Sequence, residues 1–128
     1  MKKLAFGLIV IAAFASSADK VSPDQLVKDA AKYDGKEVVV KGTVIDFKQK
    51  TSKKGNPYFV FKISTKVKDS PLNVYGRGTL EPALTDKDTV EVTGTFVKEK
   101  KISTFTIKNE IDCSGKDGEK PQIKTIKH

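Results

Sequence analysis

Two runs constrain this chain more than anything else in it: VVVKGTVIDF, starting at Val38, and VEVTGTFV, starting at Val90. Both are dominated by β-branched residues, which suit the pleated, half-buried surface of a sheet. Each carries one glycine, Gly42 or Gly94, near its middle. Glycine inside such a strand marks a bulge or a sharp bend, and two long strands that bend let a small sheet curl onto itself. Alternation of apolar and polar residues places strands at about 37 to 49, 57 to 65, 71 to 77, 88 to 98 and 102 to 112. The expected architecture is all-β with a short N-terminal helix, the five strands closing into a barrel.

The helix is written in SPDQLVKDAAKY. Ser22 can cap it, Pro23 fits its first turn, and Gln25 lies three residues after the cap. Leu26, Ala30 and Tyr33, with Val27 and Ala31 beside them, recur at helical spacing, and Gly35 stops the run. Between 79 and 88, TLEPALTDKD carries Leu80, Ala83 and Leu84 with Pro82 inside, so at most a short helical turn covers one end of the barrel. After residue 112 the chain holds glycine, proline and charge, with Ile123 and Ile126 as its apolar anchors. Residues 113–128 therefore read as a flexible basic tail in which QIKTI is a candidate edge strand.

The first residues have a different character. Lys2 and Lys3 precede an apolar run from Leu4 to Phe14, and small residues follow through Ala18. This is the layout of a secretory signal peptide over 1–18. The run falls short of the roughly 20 apolar residues that a bilayer span requires. The expectation is export to the periplasm or the medium, with no stable membrane insertion once the signal is removed and one domain over 19–112.

The full chain has 24 basic and 16 acidic residues. Without the first 18 residues the basic count is 22, and that excess suits a polyanionic partner or simply keeps a protein soluble. Cys113 is the only cysteine, so no disulfide can form within the chain; the alternatives are pairing with another chain and the reading preferred for a lone thiol near the end of a strand, a small buried hydrophobe. With one histidine, His128, no zinc site is expected, and neither is any other metal or cofactor.

The order YDGKEVVVKGTV, NPYFVFKIS, PLNVYGRG, LTDKDTVEVTGTFV and FTIKNEI, spanning about residues 33 to 112, resembles the OB-fold. It is most similar to the branch that includes exported bacterial OB proteins and the tRNA-anticodon-binding-like, nucleic-acid-binding domains. The resemblance implies a five-stranded Greek-key barrel with its ligand face on the second and third strands, flanked by the loops joining strands one to two and four to five.

On that face, alternation sorts the side chains. Phe59, Phe61 and Ile63, with Leu72 and Val74, fall on the core side, as do Val90, Val92 and Phe96 and, in the last strand, Phe105 and Ile107. Tyr58, Lys62, Tyr75 and Arg77 are left facing out. Bases can stack on two such rings while the cations meet phosphates. The flanking loops add Lys48, Lys50, Lys53 and Lys54 on one side and Lys98, Lys100 and Lys101 on the other. The expected ligand is single-stranded nucleic acid or another polyanion, and the rival is an envelope protein or a glycan.

Catalysis is not expected. Nucleases with an OB-like barrel use two arginines around the phosphate, whereas Arg77 is the only arginine here against 23 lysines. Asp86 and Asp88 are spaced like a fragment of a metal loop, but the acidic ligands that should follow are missing, and the pair fits turn chemistry better.

Overall fold

The computed structural model describes residues 18–67, 70–114 and 121–126. The signal-peptide expectation, apart from Ala18, falls outside these residues. In chain order the elements are β1 (Asp19–Lys20), α1 (Pro23–Lys28), α2 (Ala30–Tyr33), β2 (Glu37–Thr51), β3 (Pro57–Ile63), β4 (Leu72–Arg77), β5 (Thr89–Ile102), β6 (Phe105–Asp112) and β7 (Ile123–Ile126). The strands form one sheet in the order β1-β2-β3-β4-β6-β5-β7. An extra pairing between β2 and β5 makes β2, β3, β4, β6 and β5 a ring.

The two long strands close that ring because each serves two partners. Residues 37–43 of β2 run antiparallel to β5, and from Val44 onward β2 pairs with β3. The strand β5 pairs with β2 over Thr89–Thr95 and with β6 over Thr95–Ile102. The remaining join is parallel and short, matching Asn73, Val74 and Tyr75 of β4 with Glu110, Ile111 and Asp112 of β6.

The bend in β2 lies further along than Gly42. The register against β3 shifts between Ile45 and Lys48, where Asp46 has a φ of 56°. A residue in that left-handed conformation beside an extra residue is a bulge, and aspartate tolerates it better than most. Gly42 and Gly94 instead permit close approach. A Cβ on Gly42 would collide with the Ile63 side chain, and one on Gly94 would strike the backbone carbonyl of Asp112.

The ring interior holds Val38, Val40, Val44, Phe59, Phe61, Ile63, Leu72, Val74, Val90, Val92, Phe96 and Ile111, all buried. This matches the alternation read from the sequence for the second, third and fourth of the five strands, and not for the last. The expectation that Phe105 and Ile107 point inward is wrong: Phe105 is 56 % exposed and Ile107 is half-buried. The cause is the reach of the hairpin. From Glu99 to Ile107 the ends of β5 and β6 pair with each other, past the residues that join the other strands. Two strands without a layer behind them have no inside for alternation to point to.

Ser22 caps α1 as expected, accepting the Gln25 N–H at 3.1 Å, with Pro23 in the first turn. The single helix anticipated over 22–33 is broken at Asp29, whose φ of −109° and ψ of 40° separate α1 from α2. Gln25 Nε2 donates to the Asp29 carboxylate at this break. Leu26, Ala30 and Tyr33 still all reach the core. The 78–88 connection lays Leu80 and Leu84 against the core without a helical turn. Within 113–128, Ile123–Ile126 takes the edge-strand form, antiparallel to Thr89–Val92, and Cys113 is buried.

Candidate ligand groove

The outer face of β3 and β4 carries the side chains that alternation left over. Register sets Tyr58 opposite Arg77, Val60 opposite Tyr75 and Lys62 opposite Asn73. Beyond its bulge, β2 continues the same face, with Lys50 opposite Tyr58 and Lys48 opposite Val60. On the other flank Glu110 of β6 lies beside Asn73.

The β5–β6 hairpin turns this face into a groove. Asn109 adopts a φ of 52°, which twists β6 as it leaves the ring. Asn73 Nδ2 then donates to the Lys108 carbonyl at 2.8 Å, fastening the hairpin across the sheet. Two hollows lie between hairpin and sheet. The first, about 440 Å³, has Tyr58, Val60 and Tyr75 on its sheet side and Ile102, Phe105 and Ile107 on its hairpin side, with Lys50, Lys53 and Lys100 around them. The second, about 310 Å³, is lined by Lys48, Lys50, Lys62 and Lys108 together with Asn73 and Asp46. Lys50, Val60, Ile107 and Glu110 line both, so the hollows are parts of one trough.

The tyrosine rings lie 5.7 Å apart between centroids and 36° from parallel, an offset contact that leaves faces accessible in the first hollow. Lys100 links two of the elements: its Nζ sits 5.1 Å from the Tyr75 ring centroid and 2.6 Å from Glu110 Oε1. The Glu110 side chain is only 5 % exposed, so this ion pair prevents an uncompensated buried charge. Burial raises the Tyr75 pKa and Asp112 adds to the rise, against the pull of Lys100 and Arg77. The phenol therefore stays protonated at neutral pH and can donate a hydrogen bond into the groove.

The anticipated site residues divide accordingly. Tyr58, Tyr75, Lys50, Lys53 and Lys100 meet in the first hollow, and Lys48 and Lys62 join Lys50 in the second. Arg77 stands at the outer end, where it lines a further depression with both tyrosines, and its backbone N–H donates to Ser114 Oγ at 3.0 Å. Lys54, Lys98 and Lys101 are exposed and line neither hollow. The Lys98 backbone is turned toward the helical end, its N–H donating to Asp34 Oδ1.

Sequence reasoning missed the hairpin wall: Ile102, Phe105, Ile107, Lys108 and Glu110. The signal was present in KISTFTI, two apolar residues flanking a Ser-Thr turn, which can be read as a hairpin tip as well as a loop. Asp86 and Asp88 serve the turn before β5. Asp88 accepts the Thr85 N–H, while Asp86 accepts the Asp46 N–H at the β2 bulge. Among the described residues, no three carboxylate, thiol or imidazole groups converge as metal ligands would, and no helix is long and apolar enough to cross a membrane. No protein-family model matches the chain, and no curated protein is significantly similar to it.

Proposed function

We propose that this chain is a non-catalytic, exported binding module of the OB-fold type that holds an extended anionic polymer, single-stranded nucleic acid first, along the β3–β4 face. The ring order supports the fold reading: five strands close through a short parallel join, as in a Greek-key barrel whose binding face is its second and third strands. The observation that carries the function is the first hollow, where two tyrosine rings, three apolar hairpin residues and three lysines border one trough. Stacking surfaces beside cations suit bases joined by phosphates, and every base offers a face to stack.

Tyr58 and Tyr75 would take bases, Phe105 would close over them from the hairpin, and Lys48, Lys50, Lys53 and Lys62 would neutralise phosphates. Lys100 holds Glu110 and Tyr75 in place. Export to the periplasm or the medium implies a substrate found outside the cytoplasm.

Binding of residues 19–128 to a mixed-sequence single strand across a salt series tests this, with a duplex and a sulfated polysaccharide alongside. Single-strand preference that survives moderate salt supports the reading. Equal binding to all three that salt abolishes, or none, defeats it. A second reading, an envelope protein or a glycan as ligand, draws on the exposure of Ile102 and Phe105 at the hairpin tip. Binding through those side chains would be insensitive to salt.

A further inference from the structure

The second hollow differs in kind from the first. Asn73 of β4 and the Lys108 carbonyl of β6 are hydrogen bonded at 2.8 Å, which continues the join of those two neighbouring strands along one wall of the hollow. Four lysines, Lys48, Lys50, Lys62 and Lys108, line the same space. Among the described residues none of the four is in an ion pair; Glu110, on the same wall, is taken by Lys100. Asp46 is the one carboxylate left to offset them. An internal phosphodiester brings one negative charge, whereas a phosphomonoester carries about 1.5 to 2 at neutral pH and three acceptor oxygens.

Spacing agrees with an end site. Lys62 lies two residues along β3 from Val60 and four from Tyr58, roughly 7 and 13 Å at strand rise. A base on the tyrosines therefore sets the next phosphates of an extended chain beside Lys48 and Lys62.

We infer that the four-lysine hollow is an end-recognition subsite that takes the terminal phosphomonoester of a single strand whose neighbouring bases stack on Tyr58 and Tyr75. The inference rests on the polymer reading above and specifies which part of the polymer lies where. It assigns to Lys108 a role that the face residues alone do not suggest, that of a phosphate ligand.

The test compares three oligothymidylate hexamers, one with a 5′-phosphate, one with a 3′-phosphate and one with neither, titrated into residues 19–128 at fixed ionic strength and followed by tyrosine fluorescence. One phosphorylated hexamer should bind about tenfold more tightly than the unphosphorylated one, and which one does gives the strand polarity. Lys48→Gln with Lys62→Gln should remove that advantage, while Lys28→Gln with Lys124→Gln, remote from the trough, should keep it. Thermal melting of both double variants should match the parent, since all four lysines are on the surface. If all three hexamers bind equally, the end subsite is wrong and the polymer reading stands. If the hexamers bind with a phosphate advantage that survives Lys48→Gln with Lys62→Gln, the phosphate sits elsewhere and the assignment also fails. If none binds, both readings fall together.

Discussion

Phe61 and Phe105 are the same residue in strands of the same sheet, and they sit in opposite worlds. Phe61 is 2 % exposed, stacked parallel to Phe59 with ring centroids 6.4 Å apart, and packed from the side by Phe47. Phe105 stands 56 % exposed at the tip of the β5–β6 hairpin, facing a trough. The difference is whether a second layer closes over the strand. In β3 the ring supplies one; beyond Glu99 and Lys108 the hairpin has outrun its neighbours. An apolar side chain there adds little to stability and is available for a ligand.

Substitution can break that comparison. Phe61→Ala should cost about 3 to 5 kcal/mol of stability, seen as a large loss of unfolding free energy in denaturant, because the surrounding rings cannot collapse onto the space. A variant that unfolds like the parent would mean that the ring interior is not the core. Next in size, Tyr58→Ala with Tyr75→Ala should weaken single-strand binding by about 1 to 3 kcal/mol per stacked base while the fold persists. Unchanged affinity for a ligand that does bind would remove the tyrosines from the site. Phe105→Ala should shift stability by only about 0.5 kcal/mol, the usual range for a surface change. It should nonetheless raise the dissociation constant; a destabilised fold would place the hairpin tip in the core after all.

The interior also makes a chemical prediction. Burial, then Asp112, pushes the Cys113 thiol from 9.0 up to about 12. At pH 8 the folded protein should therefore resist a thiol-labelling reagent that reacts promptly in denaturant. Because the unfolded chain releases this proton near pH 9 and the folded one does not, the unfolded state gains stability as pH rises from 9 toward 12. Folding stability should fall over that window, and should not respond to this group at lower pH. The fall should be reduced in Cys113→Ala if the thiol is its source.

Much of the fold was legible in the sequence because closing a ring imposes a period of two. Phe59 and Phe61, and Val90 and Val92, each declare an inner face without further information, whereas the run Val38, Val39, Val40 does not show which of its valines point inward. The ring's connectivity was not written in that pattern; it depends on which halves of β2 and β5 pair with whom. The bulge was misplaced for a related reason. A glycine between valines looks like a bend, whereas Asp46, where the bend lies and where Asp86 accepts the backbone N–H, carries no such mark. The tyrosine face was legible, since it is the remainder after the core is subtracted. The opposite wall was not, because Ile102, Phe105 and Ile107 carry the same alternation as core residues and only the lengths of their neighbours expose them. Lys100 shows a further limit: composition counts it as a free cation, yet Glu110 and Tyr75 already occupy it.

The two terminal strands have a practical consequence. Both attach to the first halves of the long strands, β1 at Val38 and Val39 and β7 at Thr89 to Val92. The trough lies along the second halves, and from Val39 to Lys48 the chain advances roughly 30 Å at strand rise. A linker fused ahead of Asp19 would thus hold the protein by its base with the trough turned to solution, so sensor chips and pull-down resins can be built on that end without masking what they are meant to detect.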